Sequence, residues 1–346
     1  MPSGAGFLGD KMIKRADIEF SGNDVLIHIP TKKLDNEENV CGRFLEEEIL
    51  EIRQFGDGHI NDTFLVKTQK EQYICQRICK GMNVAALETN FSAYANVCKG
   101  KEWLFPEWMR TSDGGYFYTD TQGDYWRMYP YLEGDVLEVP LTKEELFECG
   151  RGLARLHDIL QELPVQPIAV YPKLHDLDHY YKEYLELLDR KEGFYEECRD
   201  FDIEKEIRGR IGEFLELSPD RSKVVHGDTK LANILFRNGR VAGFLDLDTI
   251  MQGSVLEDIA DCIRSCCIAE GKMDEAAAGS FLEGYLQSDE QRLSKEEKEL
   301  LPKVIDKIRF ELALRYYTDA ISKKPKFRKN YPGYRLEKAR KYMKML

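Results

Sequence analysis

The run Val224–Asp248, V-V-H-G-D-T-K-L-A-N-I-L-F-R-N-G-R-V-A-G-F-L-D-L-D, constrains this chain more than any other stretch. Asn238 and Gly239 stand between two apolar runs, Ile234–Phe236 and Val241–Leu245. Asn-Gly in that setting closes a two-residue hairpin, because both central residues must accept positive φ. With Arg237 opposite Arg240, the ladder predicts Phe244 opposite Asn233 and Asp246 one diagonal step away. Side chains alternate along a strand, so Asn233, Phe244 and Asp246 are expected on one face. Diagonal neighbours lie roughly 7–8 Å apart, a span that two short oxygen-bearing side chains can close around one cation. An amide oxygen and a carboxylate suit Mg2+ rather than zinc.

Asp228 lies on the loop entering the hairpin, where its carboxylate can take a proton from an attacking hydroxyl. Lys230 is placed to meet a transferring phosphoryl group. A structural Asp in a turn before an ordinary hairpin would use the same residues, but the joint spacing of Asp228, Asn233 and Asp246 favours chemistry. Protein kinases present a catalytic carboxylate and two metal ligands in this order, as H-R-D-x-x-x-x-N followed by a metal-binding Asp.

The H-G-D-x-x-x-x-N and D-x-D arrangement resembles the aminoglycoside phosphotransferase and choline kinase superfamily. Within it, G-D-G-H-I-N at 56–61, H-G-D-T-K-L-A-N-I-L and D-L-D-T-I-M-Q-G-S look most like the N-acetylhexosamine 1-kinases, over a span from about Phe55 to the C-terminus. The resemblance implies an α+β, two-lobed protein-kinase-like fold: an N-lobe with an antiparallel β-sheet over 46–131, and a mostly helical C-lobe over 132–346. Residues 1–45 fall outside it as an extension. The implied reaction moves the γ-phosphoryl group of ATP to the anomeric hydroxyl of an N-acetylhexosamine. Asp228 would be the base, Lys230 would assist at phosphate, and Asn233 with Asp246 would hold Mg2+. An amino alcohol, another sugar or an aminoglycoside is the alternative acceptor, and a non-catalytic nucleotide-binding scaffold is a reading of a different class. The intact Asp228, Asn233 and Asp246 argue against the scaffold.

At 346 residues the chain is long enough for two lobes. A net charge of −12 argues against a nucleic-acid partner, which calls for clustered Lys and Arg. The first fifteen residues lack the apolar core of a signal peptide and no run approaches a membrane span, so a cytoplasmic protein with no membrane partner is expected. The nine cysteines include several inside apolar patterns, as core thiols would be.

Short strands are expected at Ile49–Phe55, Thr63–Thr68, Tyr73–Ile78 and Trp126–Tyr131, with a further short one at Val25–Ile29. Gly56 and Gly58, in the turn after the first of the sheet strands, would let backbone N–H groups approach phosphate. His59 beside them is a candidate substrate contact. The third strand reads Y-I-C-Q-R, with Gln76 where kinase-like folds usually carry a phosphate-pairing Lys. Either Gln76 or Arg77 is therefore the candidate phosphate contact, or the metal and the glycine loop chiefly hold the nucleotide; Glu88 is a weak candidate for the acid that usually partners the Lys. By analogy Tyr129, Tyr131 and Leu132 belong to the inter-lobe hinge that holds the nucleotide base.

In the C-lobe, Thr142 with Glu145 and Ser294 with Glu297 form capping boxes, and Leu146, Leu153, Leu156 and Leu160 mark one helical face. His157 reads as a core or loop-supporting histidine, and Asp258 as support for the catalytic loop. Lys307, Glu311, Arg315 and Asp319 recur every four residues and so line one side of a helix. The resemblance places the sugar there, with Glu311, Arg315 and Asp319 as its contacts.

Overall fold

The structure, a computed structural model, describes residues 7–8, 11–12, 18–21, 24–27, 40–56, 61–78, 81–190, 196–269, 272–326 and 332–346. Two hairpins, Phe7–Leu8 with Lys11–Met12 and Ile18–Ser21 with Asp24–Ile27, come first. Asp24–Ile27 covers part of the strand expected at Val25–Ile29; the remainder lies outside the described residues.

The N-lobe is built on a five-stranded antiparallel sheet in the order Ile49–Gln54, Asp62–Thr68, Gln72–Arg77, Tyr125–Pro130, Tyr118–Thr119. Strict alternation sorts its residues. Phe64, Cys75 and Met128 are in register on the outer face, which packs with Trp126 and Tyr73 against Val40, Cys41 and Leu45. Thr63, Gln76 and Arg127 are in register on the opposite face, which turns toward the C-lobe. The helix Val84–Cys98, capped by Asn83, lies beside the sheet, and Asn90 in it both donates to and accepts from the backbone of Ile168 at 2.8 and 2.9 Å. That reciprocal pair ties a helix of one lobe to a loop of the other.

The C-lobe core forms around the helix Lys143–Gln161, whose Leu146, Leu153, Leu156 and Leu160 are all buried as the spacing predicts. Both capping boxes are present. Gly150 and Gly284 allow this helix to touch the helix Glu275–Leu286 backbone to backbone: a Cβ on Gly150 would meet the Phe281 carbonyl oxygen at 1.9 Å, and one on Gly284 the Phe147 carbonyl oxygen at 1.9 Å. The helix Val255–Cys266 and the 27-residue helix Lys295–Ile321 complete the wall behind the catalytic loop. The described cysteines are all free and buried, as core thiols. No helix among the described residues is long and apolar enough to cross a membrane.

Candidate active site

The loop that carries Asp228 is held from below by one carboxylate. Asp258, 1% exposed, accepts the backbone N–H of His226 and of Gly227, both at 2.8 Å, and lies 3.1 Å from His157 Nε2. Tyr285 supports the other ring nitrogen of His157 at 2.8 Å. Burial alone would raise the Asp258 pKa, but these partners more than offset it and hold the carboxylate below its usual range. Gly227 adopts φ +85°, and a Cβ there would also meet the Thr249 carbonyl oxygen at 2.9 Å, so the H-G-D glycine is required twice over.

Asp228 then faces the cleft with two donors on it. Lys230 Nζ lies 2.6 Å and Asn233 Nδ2 3.1 Å from its Oδ2, and the same Asn233 nitrogen donates to the Asp228 carbonyl at 2.8 Å. Desolvation pushes the carboxylate up, yet Lys230, His226 and Arg264 outweigh it, so Asp228 is ionised at neutral pH. The structure thus brings Asp228, Lys230 and Asn233 together.

The hairpin closes at Asn238 and Gly239, with φ of 54° and 72°, and Arg237 pairs with Arg240. Its register differs from the expected one beyond that point. Leu235 pairs with Gly243 and Phe236 with Val241, so Ala242 is an extra residue, and its carbonyl accepts the Leu104 N–H at 2.8 Å. This bulge moves Ile234, not Asn233, opposite Phe244. Asn233 belongs to a single 3-10 turn, Leu231–Asn233, ahead of the strand. Asp246 has left the ladder in a left-handed conformation, φ 56° and ψ 57°. What joins them is the Leu245 N–H donated to the Asn233 carbonyl at 2.8 Å, with His226 Nε2 donating to the Leu245 carbonyl at 2.9 Å.

The residues fit a hard divalent cation. The Asp246 carboxyl is pushed up to about 6, first by burial and then by repulsion from Asp248 and Asp228, against the weaker pull of Lys230 and Arg127. Positive charge at this point would relieve that repulsion. Asn233 spends its amide nitrogen on Asp228 and so turns its oxygen elsewhere. Among the described residues no group of three or more His, Cys, Asp or Glu forms a metal cage.

On the sheet side, the alternation of the third strand separates the two candidates for the absent Lys. Arg77 points to the outer face, where it donates to Asp62 at 2.6 Å, lies 3.8 Å from Asp124 and covers the Trp126 ring. It is not a cleft residue, because its side chain falls on the same side as Tyr73 and Cys75. Gln76 is on the cleft face, and its Oε1 accepts Arg127 Nε and Nη2 at 2.9 and 2.8 Å. Arg127 was not among the residues singled out from the sequence. Glu88 has no ion-pair partner among the described residues. Gly56 takes φ +69° with open space around it, while Gly58 and His59 lie outside the described residues. At the hinge, the Tyr131 N–H is committed to the Gln72 carbonyl at 2.9 Å, and Tyr129 pairs with Ile74.

On the other side of Asp228, the four-residue ladder turns out to be buried. Lys307 donates to Glu257 at 3.1 Å, and Arg221 reaches the same carboxylate at 2.7 Å. Glu311 is 1% exposed, accepts Arg315 Nη1 at 3.2 Å and lies 3.4 Å from His175 Nδ1. The expected ligand role for Glu311 therefore becomes one of support, since its carboxylate is sealed behind His175 and Arg315. Arg315 retains 24% side-chain exposure, packs its guanidinium 4.7 Å over the Tyr180 ring, and feels Asp228 among its attractive charges. Asp319 is buried one turn further on.

His175, also absent from the sequence reading, bridges the two halves of the site: its Nε2 donates to the Gly227 carbonyl at 3.0 Å. Both ring nitrogens face acceptors, so the ring is an imidazolium. Burial opposes that charge, but Glu311 above all, then Glu257 and Asp261, raise the pKa to about 9. Because the folded value lies above the ordinary 6.5, the stabilisation is complete below pH 6.5 and is lost as pH rises through about 9. Denaturant titrations should find wild type losing on the order of 3 kcal/mol relative to His175→Gln between pH 6 and pH 10. Parallel pH profiles for the two proteins would refute the charged bridge.

An antiparallel sheet lobe over a helical lobe, with Asp228 and Asp246 between them, is the kinase-like fold. Residues 51–297 match the phosphotransferase enzyme family APH, and the chain belongs to that family. Among solved structures it is similar to an amicoumacin kinase in complex with AMP-PNP and Ca2+, with a TM-score of 0.62 and 12% identity over 89% of this chain and 92% of the other. A microcompartment-associated aminopropanol kinase has a TM-score of 0.62 and 16% identity, over 88% and 94% of the two chains. A spectinomycin phosphotransferase in complex with ADP and spectinomycin has a TM-score of 0.58 and 15% identity, over 92% and 95%. At these identities the likeness shows a shared fold.

Proposed function

We propose that this phosphotransferase carries the γ-phosphoryl group of ATP to the anomeric hydroxyl of a free N-acetylhexosamine. The observation that carries the reading is the ionised Asp228, held by Lys230 and Asn233 in a buried loop with Arg315 on its acceptor side. Asp228 takes the proton of the attacking hydroxyl, and Lys230, released from Asp228, donates to the transferring phosphoryl oxygens. Asn233 Oδ1 and Asp246 would hold Mg2+, which would supply positive charge to offset that of the phosphates. Gly56, at positive φ after the first sheet strand, would let the backbone approach the phosphates. With Tyr131 N–H already spent on Gln72, a hinge donor to the base comes from Leu132.

Amino alcohols and aminoglycosides are the second class of acceptor, and proteins of this fold include an aminopropanol kinase. Arg315 weighs against them here. A guanidinium near Asp228 repels a cationic amine, whereas it donates well to sugar hydroxyls and to the N-acetyl carbonyl.

The test is Mg-dependent ADP release over free N-acetylhexosamines, neutral hexoses, amino alcohols and aminoglycosides, with phosphorus NMR of the product. The expected product is a non-reducing sugar 1-phosphate. Arg315→Ala should raise the sugar KM by about 10- to 100-fold, the loss of a charged hydrogen bond, and leave the ATP KM alone. Phosphate on carbon 6 or carbon 3, or equal loss of sugar and nucleotide affinity, would overturn the acceptor assignment.

A further inference from the structure

Arg127 is 3% exposed in the middle of a buried strand, between Trp126 and Met128. Four of its five N–H donors are committed. Nη1 and Nη2 grip the two Asp248 carboxylate oxygens at 2.6 and 2.9 Å, and Nε and Nη2 share Gln76 Oε1. The guanidinium also covers the Trp108 ring at 4.6 Å. Gln76 is itself fixed by its Nε2 donating to Thr63 Oγ1 at 3.2 Å, and Asn61 Nδ2 reaches Asp248 Oδ2 at 3.3 Å. A continuous polar chain thus runs across three strands and ends on the turn Leu247–Thr249, which starts from Asp246.

That turn has a reason to need holding. Asp246 sits at φ 56°, a conformation that costs a non-glycine residue and persists only where its surroundings enforce it. A Lys at position 76 would set a second cation against Arg127, while Gln offers the guanidinium an oxygen. The cation has moved one strand over, and its acidic partner lies in the D-L-D turn instead of the helix Val84–Cys98.

We propose that Arg127 is the positioning residue that replaces the usual third-strand Lys: by clamping Asp248 it docks the metal-bearing turn on the sheet and neutralises the second carboxylate, leaving Asp246 to face the cation. The proposal rests on the phosphotransferase reading for its metal and nucleotide. It excludes a direct phosphate contact, because the guanidinium is sealed and four of its five donors are spent within the protein.

Calorimetric titration with Mg·ADP and hydrogen exchange of amides 245–250 in the nucleotide-free protein test it together. Arg127→Met should weaken Mg·ADP by about tenfold or more and speed exchange in 245–250. Adding Asp248→Asn should cost little further affinity, because both changes break the same contact. Losses in the double variant equal to the sum of those in Arg127→Met and Asp248→Asn would mean that each residue acts through its own contact and overturn the clamp, as would unchanged affinity and exchange in Arg127→Met. If Arg127→Met fails to fold, Asp248→Asn alone should speed exchange in 245–250 and leave the helix Lys143–Gln161 at the wild-type rate; equal rates in 245–250 would refute the clamp. A wild-type protein that does not bind Mg·ADP would count against the phosphotransferase reading, and the exchange arm would still decide the clamp.

Discussion

Asp228→Asn is expected to lower turnover by about 10²- to 10⁴-fold, the usual contribution of a positioned general base, while Mg·ATP affinity stays close to wild type. Asn keeps the size of the side chain and loses the proton acceptor. Its oxygen can still accept from Lys230 or Asn233, which now hold Oδ2 at 2.6 and 3.1 Å. Nucleotide and cation are held by other groups on the proposed reading, by Asp246, Asn233 and the glycine turn. Single-turnover rates and calorimetric Mg·ATP titrations separate the two quantities. Near-normal turnover would remove Asp228 from the chemistry, and joint collapse of turnover and nucleotide affinity would make it a structural anchor for Lys230 and Asn233.

The parts of this site legible in the sequence are those written by local rules. Asn238 and Gly239 specify their turn whatever surrounds them, and Thr142 and Ser294 specify their caps through residues three positions away. Alternation placed the strands to within one residue or so, and the even spacing of Leu146 to Leu160 marked a buried face. The bulge at Ala242 was not legible, because what stabilises it is the Leu104 N–H from a segment more than a hundred residues earlier. Without that contact the sequence reads as an unbroken ladder, and Asn233 is assigned to a strand instead of the turn before it.

Arg127 and His175 were missed for the same physical reason. Each takes its role from partners far along the chain: Arg127 from Asp248, His175 from Gly227 and Glu311. For Arg127 there was a usable signal: a charged residue inside the apolar run W-R-M-Y, in the strand that follows an anomalous Gln. A buried strand position does not carry a guanidinium unless a carboxylate awaits it. For His175 no local signal exists, since a single His in a loop has many satisfactory environments. The ladder on the last long helix was legible as geometry, while its burial was not. Four charges at four-residue intervals ordinarily mark a solvated stripe, and here Glu257 and His175 bury most of it.

Asp258→Asn should have the largest effect on the fold of any single change around the site, about 3–5 kcal/mol, read as a lower denaturant midpoint. Two carboxylate oxygens now take three donors, the N–H groups of His226 and Gly227 and the His157 ring, at 1% exposure. An Asn side chain offers one oxygen and turns an N–H2 toward the remaining donors, so at least one buried N–H is orphaned and faces another donor. His157 and His226 hold the native carboxylate below its usual range against the cost of burial. Its contribution is therefore fully present at neutral pH and would fade only as the pH falls into the acid range. Turnover should fall with stability, because the two pinned amides fix the backbone on either side of the Gly227 turn that presents Asp228. A double-mutant cycle with Asp228→Asn separates the effects: since the anchor acts through the base, Asp258→Asn should cost turnover in wild type and almost none once Asp228 is Asn. Additive losses would mean that Asp258 supports the C-lobe as a whole and has no particular hold on the catalytic loop.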